Sequence, residues 1–142
     1  MTVRAILDAK GRQVESIGAD AKVSSAVNIL SQRGIGALLV LAGGKIEGII
    51  SERDIVRELG KRGPSILDEP VSAVMTPKVM TCRRADTVSW LMERMTEGKF
   101  RHLPVVEEGE LIGIVSIGDV VKHRVMEYET EQEAMRDYIK TA

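Results

Sequence analysis

Gly48-Ile-Ile-Ser-Glu-Arg-Asp54 and Gly113-Ile-Val-Ser-Ile-Gly-Asp119 are one phrase written twice, 65 positions apart from Gly48 to Gly113. Each begins in apolar β-branched residues and ends in Ser-x-x-Asp, so each reads as the tail of a strand running into a helix. A helix N-terminus exposes backbone N–H groups and the positive end of a dipole. A phosphate can be held there, and the hydroxyl of Ser51 or Ser116 adds a donor. The carboxylate of Asp54 or Asp119 can accept bonds from two ribose hydroxyls. Ser-x-x-Asp is also close to a capping box, in which the serine caps the helix and the acid reaches back to the serine N–H. Both readings stand at this point.

Working outward, the same shift aligns Val23 through Val56 with Val88 through Val121 without a gap, pairing Val23/Val88, Ser24/Ser89, Leu38/Leu103, Val40/Val105, Gly44/Gly109 and Val56/Val121 among others. A repeat of this kind governs the whole fold. Val23, Ala26, Val27 and Leu30, answered by Val88, Leu91, Met92 and Met95, fall at the spacing of a helix that buries one stripe. Asp20 and Asp86 are the candidate N-caps. Ala37–Leu41 and Leu103–Val106 are apolar runs too short for helices and read as buried strands, with Pro104 confined to a strand start or edge because it has no N–H to give. Turns at 42–45 and 107–110 lead into 46–50 and 111–115, giving each copy a hairpin and then a short helix.

The repeat extends upstream. Val3-Arg-Ala-Ile-Leu7 and Val71-Ser-Ala-Val-Met75 correspond at a slightly larger shift, so each copy carries a lead-in helix and then a first strand, at 13–17 and 79–82. The organisation expected is a first repeat over 1–62, a polar, turn-rich connector over 63–70, a second repeat over 71–125 and a C-terminal helix over 126–142 that caps the pair or docks on a second subunit. The fold class is α/β (α+β), built from two βαββα units.

Composition narrows the function. Twenty basic side chains against 21 acidic ones leave a formal net charge of −1, too even for a field that holds a nucleic-acid backbone. Cys82 is the only cysteine, which excludes an internal disulfide and any multi-thiolate metal site and suits a reducing compartment; a buried, inert thiol is the expectation. The N-terminus reaches charge before any signal-length apolar run, and no apolar stretch attains the roughly 18 residues of a membrane helix. These features read as a cytoplasmic protein. His102 and His123 are the only histidines, and no H-E-x-x-H, G-x-S-x-G or P-loop pattern occurs, so catalysis is not expected.

The repeat, its spacing and both Gly-x-x-Ser-x-x-Asp segments resemble a tandem pair of cystathionine-β-synthase (CBS) domains, over about Val3 to Arg124. The resemblance implies two repeats packed sheet to sheet with pseudo-two-fold symmetry, and clefts between them that bind adenine compounds such as AMP, ADP, ATP, S-adenosylmethionine or NAD(H). It implies ribose contacts at Asp54 and Asp119, ribose or phosphate contacts at Ser51 and Ser116, and base contacts along Ser16, Ile17, Ile35, Gly36, Ala37 and Leu38 in one copy. Met80, Thr81, Cys82, Phe100, Leu103 and Pro104 would do the same in the other.

Lys99-Phe-Arg-His-Leu-Pro104 resembles the family's basic pair, which makes Arg101 and His102 the leading phosphate ligands. The copies differ here. Gly36-Ala37 stands where the second has Arg101-His102, while Arg53 stands opposite Gly118. Two outcomes follow: unequal occupancy by one mononucleotide, or one site reaching for a longer ligand such as NAD or NADH. The expected role is a non-catalytic sensor that binds an adenine nucleotide and alters a surface facing an unidentified protein partner, with no catalytic cofactor, metal, nucleic acid or membrane involved. The alternative is a structural or interaction protein with no physiological nucleotide ligand. A homodimer is expected, through Ile6, Ile55, Val56, Val120 and Val121.

Overall fold

A computed structural model describes residues 1–141. The chain forms α1 (Val3–Lys10), β1 (Ser16–Gly18), α2 (Val23–Arg33), β2 (Ala37–Ala42), β3 (Lys45–Ser51), α3 (Glu52–Arg62), α4 (Val88–Gly98), β4 (His102–Glu107), β5 (Glu110–Ser116) and α5 (Ile117–Thr141). The connector is ordered: a 3-10 turn at Pro64–Asp68 buries Ile66 completely. The second lead-in is a 3-10 turn, Val71–Ala73, and not the helix expected. The expected C-terminal helix is the continuation of α5, which runs unbroken from Ile117.

The chain divides into two compact units that cut across the repeats. One is contiguous, Gln13–Met80; the other joins Met1–Arg12 to the chain from Thr81 onward. The lead-ins are exchanged. In the contiguous unit Val23, Ala26, Leu30, Leu38, Val40, Ile50 and Ile55 pack with Val71 and Val74 from the start of the second repeat. In the composite unit Val88, Leu91, Met95, Leu103, Val105, Val115 and Val120 pack with Val3 and Ile6 from the start of the first. Nearly every core position in one unit has its counterpart in the other.

The hairpins repeat as faithfully. β2 pairs antiparallel with β3 and β4 with β5, each with a two-residue turn whose central residues all have positive φ, Gly43 and Gly44 in one and Glu108 and Gly109 in the other. Each has a bulge at the same place, Val40/Leu41 and Val105/Val106.

The copies part at the first strand. β1 pairs parallel with β2, helped by the Leu39 N–H donating to the Glu15 carbonyl at 3.3 Å. The position matching Leu39 is Pro104, which has no N–H; it lies at the third position of β4 and not at the start, but β4 belongs to a two-stranded sheet and is an edge strand, the other place open to it. The expected strand at 79–82 is accordingly reduced to a single bridge, Cys82 with Val105. Just beyond that bridge, carboxylates take the next backbone donors: Asp86 accepts from Arg83 N–H at 2.7 Å and Glu107 from Arg84 N–H at 2.8 Å.

Asp86 is thus spent on a turn, and the cap of α4 is Thr87, whose hydroxyl accepts from Trp90 N–H. Asp20 is not a cap either. Helix α2 starts from Lys22 without a side-chain cap, and Val23 N–H donates to the Glu69 carbonyl. Within the helix stripes Met92 is exposed. Of the five apolar positions expected at a subunit interface, Ile6, Ile55 and Val120 are consumed by the cores, and Val56 and Val121 are exposed.

Candidate functional site

The two Ser-x-x-Asp segments sit where a strand hands over to a helix, β3 to α3 and β5 to α5. In the first copy the capping box is complete. Ser51 N–H and Ser51 Oγ donate to Asp54 Oδ2 at 3.0 Å, and Asp54 N–H donates to Ser51 Oγ at 3.2 Å. Asp54 Oδ1 accepts from Arg57 Nη2 at 2.9 Å and from Thr76 Oγ1 at 3.3 Å. Four donors converge on this buried carboxylate, which satisfies its charge within the protein.

The second copy repeats the box with a different outer partner. Asp119 Oδ2 accepts from Ser116 N–H at 2.9 Å and from Lys10 Nζ at 2.7 Å, and Asp119 N–H donates to Ser116 Oγ. Lys10 Nζ also donates to the Ile114 carbonyl at 2.9 Å. In both copies the acid is held by a residue that enters with the exchanged lead-in, Thr76 or Lys10. Sequence reasoning missed both, and also Arg57. The Asp119 side chain keeps 22% of its surface exposed, against 7% for Asp54, so the second acid is the more accessible.

Burial alone would raise the Asp119 carboxyl, but hydrogen bonds from Lys10 and from the Ser116 backbone outweigh it and leave the group below its ordinary range. A depressed folded-state value stabilises the fold above the unfolded value and is lost as pH falls through the folded one. Lys10→Met is therefore expected to cost about 1 kcal/mol or less at neutral pH, the screened worth of such a pair. It should also flatten the acid limb of stability below about pH 4. Chemical denaturation across pH checks this; an unchanged acid limb would show that the pair does not set the Asp119 titration.

The strand register brings the motif serines against the start of the second strand. Ser51 pairs with Ala37, and Ser116 with His102. Alongside, Glu52 N–H donates to the Gly36 carbonyl at 3.0 Å and Ile117 N–H to the Arg101 carbonyl at 2.8 Å. The basic pair Arg101-His102 thus lies beside Ser116, with the Arg101 side chain exposed and His102 half-buried. Arg53 and Gly118 occupy the same second position of α3 and α5.

Other expected contacts lie elsewhere. Ser16 and Ile17 pair with Leu39 and Val40, further along β2 than Ala37. Ile35 N–H is already engaged by the Leu30 carbonyl and Cys82 N–H by the Pro104 carbonyl. Leu38, Leu103 and Pro104 are buried, and the half-buried Phe100 packs on the composite core with its ring against Gly98. Met80 and Thr81 are exposed, one on each side of the boundary between units. The Cys82 side chain is buried, and burial first, then Asp86 and Glu107, push its thiol up to about 12. It is a thiol at neutral pH and no nucleophile. Among the described residues there is no cluster of metal-ligating side chains, and no helix is long and apolar enough to cross a membrane.

Comparison with known proteins agrees with this fold. The CBS-domain family model matches residues 4–61 and 71–125. A CBS domain-containing protein of Arabidopsis thaliana, described as mitochondrial, is 33% identical over 98% of this chain and 72% of its own length. The crystal structure of a CBS-domain containing protein from Agrobacterium tumefaciens superposes with a TM-score of 0.86 at 44% identity, covering 87% of this chain and 99% of the other. A CBS domain protein from Pyrobaculum aerophilum, solved in complex with AMP, gives a TM-score of 0.73 at 27% identity, covering 84% and 89%.

Proposed function

This chain belongs to the CBS-domain family, a tandem pair of such domains, and from that premise we propose that it is a non-catalytic sensor that binds an adenine mononucleotide, principally at the second repeat's strand-to-helix junction. The observation that carries the reading is the asymmetry of the two junctions. Asp119 is the more accessible acid, and Ser116 beside it is paired in register with His102, next to Arg101. Asp119 would take the ribose hydroxyls, Ser116 and the N-terminus of α5 a phosphate oxygen, and Arg101 and His102 the remaining phosphate charge. AMP bound to the Pyrobaculum relative supports the ligand class.

At the first junction Asp54 is already saturated by Ser51, Arg57 and Thr76, and no basic pair precedes β2, so binding there is weaker. A ligand on Asp119 must compete with Lys10, which sits on the exchanged α1. Occupancy would thereby loosen or reseat α1, and this is how binding would alter the surface offered to a protein partner. The protein is read as working as a homodimer, and its lone buried thiol suits the reducing cytoplasm.

Thermal unfolding with AMP, ADP, ATP, NAD, NADH and S-adenosylmethionine tests the reading, each variant compared with its own ligand-free midpoint because both acids are helix caps. A mononucleotide at about 100 times its dissociation constant should stabilise the wild type by about 2.7 kcal/mol. Asp119→Asn should abolish most of that gain, and Asp54→Asn should leave it. Indifference of the wild type to all six compounds would instead favour an interaction protein without a nucleotide, a reading that the internally satisfied acids already make physically coherent.

A further inference from the structure

Helix α5 spans 25 residues, about 37 Å at the usual rise. Its first half is anchored by the buried Val120 and His123 and by Glu127, which pairs with the N-terminal ammonium and with Arg124. From Tyr128 to Lys140 every residue is exposed. A helical stretch of that length without tertiary packing is marginal in water, so this half needs something to lie against.

Five of the eight large apolar residues that this helix exposes share one line, with Ile117, Met126 and Tyr138 lying off it. Val121, Val125, Tyr128, Met135 and Ile139, at 50, 49, 62, 63 and 70% exposure, fall with Gln132 on the alternating four-and-three spacing of a heptad seam, d-a-d-a-d-a from 121 to 139. The seam lies on a different face from Val120, His123 and Glu127, which point to the body. We propose that this seam is a parallel two-stranded coiled coil with a second copy of this chain.

The choice of occupant rests on charge. With Val125 at an a position, Arg124 and Glu131 are at g, and Glu129 and Arg136 are at e. In a parallel pair a g residue meets the e residue five positions on in its partner. Both contacts available in this frame, Arg124 with Glu129 and Glu131 with Arg136, join opposite charges. A helix that complements itself at both flanking positions is matched to its own copy. Gln132 at the central a position then faces its counterpart, where paired amides fix register and favour two strands at some cost in stability.

Sedimentation of the ligand-free full chain over a wide concentration range reads the interface directly and does not depend on the nucleotide reading. The wild type should be a dimer. Glu131→Arg and Arg136→Glu, each placing like charges together twice per dimer, should weaken it about tenfold, some 1.4 kcal/mol. The double swap Glu131→Arg with Arg136→Glu restores opposite charges and should restore the dimer. All four positions are exposed surface, so the monomer's own thermal midpoint serves as the control for folding. Met135→Cys, at a d position, should cross-link rapidly under mild oxidation as a parallel d–d pair, with the buried Cys82 taking no part. A monomer at all concentrations, a dimer indifferent to the single swaps, or the absence of the Met135→Cys cross-link would overturn the proposal.

Discussion

Gly48→Ala is expected to destabilise the protein by about 3 kcal/mol, and Gly113→Ala by only about 1 kcal/mol, the span seen for overpacked cores. Both glycines stand at the head of the Gly-x-x-Ser-x-x-Asp segments, where a role in approaching a ligand would be the first guess. Their neighbours say otherwise. A Cβ on Gly48 would lie 2.6 Å from the Thr76 carbonyl oxygen and 2.7 Å from Met75 Sδ; one on Gly113 would lie 2.7 Å from Leu7 Cδ2. Met75 and Leu7 are the matching residues of the two lead-ins, so each glycine makes room for the lead-in of the other repeat. The costs differ because the obstacles differ. Leu7 can turn its side chain, whereas the Thr76 carbonyl is backbone, fixed by reciprocal bonds with Ile49 at 2.8 and 2.9 Å. Urea denaturation of both variants settles the order; equal losses would mean that the Thr76 segment yields as easily as a leucine methyl.

Ile6→Ala should cost 2–5 kcal/mol, the range for deleting a fully buried aliphatic side chain, and the damage should appear in the second repeat. Ile6 belongs by sequence to the first copy but packs with Val88, Leu91, Leu103 and Val115. Amide exchange should therefore accelerate in α4, β4 and β5, with β2 and β3 keeping their protection. Val71→Ala provides the converse, a second-repeat residue whose loss should open the first hairpin. Accelerated exchange in β2 and β3 upon Ile6→Ala would contradict the exchange of lead-ins.

The repeat, the stripes of α2 and α4, the hairpins and the strand-to-helix junctions are all legible in the chain, because periodicity and turn chemistry are local. The exchange is not. Val3-Arg-Ala-Ile-Leu7 and Val71-Ser-Ala-Val-Met75 offer the same apolar pattern to the same kind of cavity, and nothing in either says which copy it fills. The reduced first strand of the second copy can be found afterwards in Pro104, whose missing N–H removes the bond that Leu39 makes. At the site, Ser51 and Ser116 with their acids emerge as helix caps, and Arg101-His102 falls beside Ser116 by register alone. Lys10 and Thr76 were out of reach because they arrive from the other repeat, with no motif to announce them. The expected interface residues Ile6, Ile55 and Val120 fail for a simpler reason: apolar character marks burial, and it does not distinguish a core from a partner.

The exchanged α1 also sets an order of events on the ribosome. Residues 13–80 form a contiguous body that has all its own core in hand once Met80 has cleared the exit. Val3, Ile6 and Leu7 are made before that body but have nothing to bury against until β5 and the start of α5 exist more than a hundred residues later. The nascent chain should therefore carry a closed body preceded by a sticky, unsheltered segment. That segment should be the one most in need of a chaperone during synthesis, and closing it should be the longest-range step of folding.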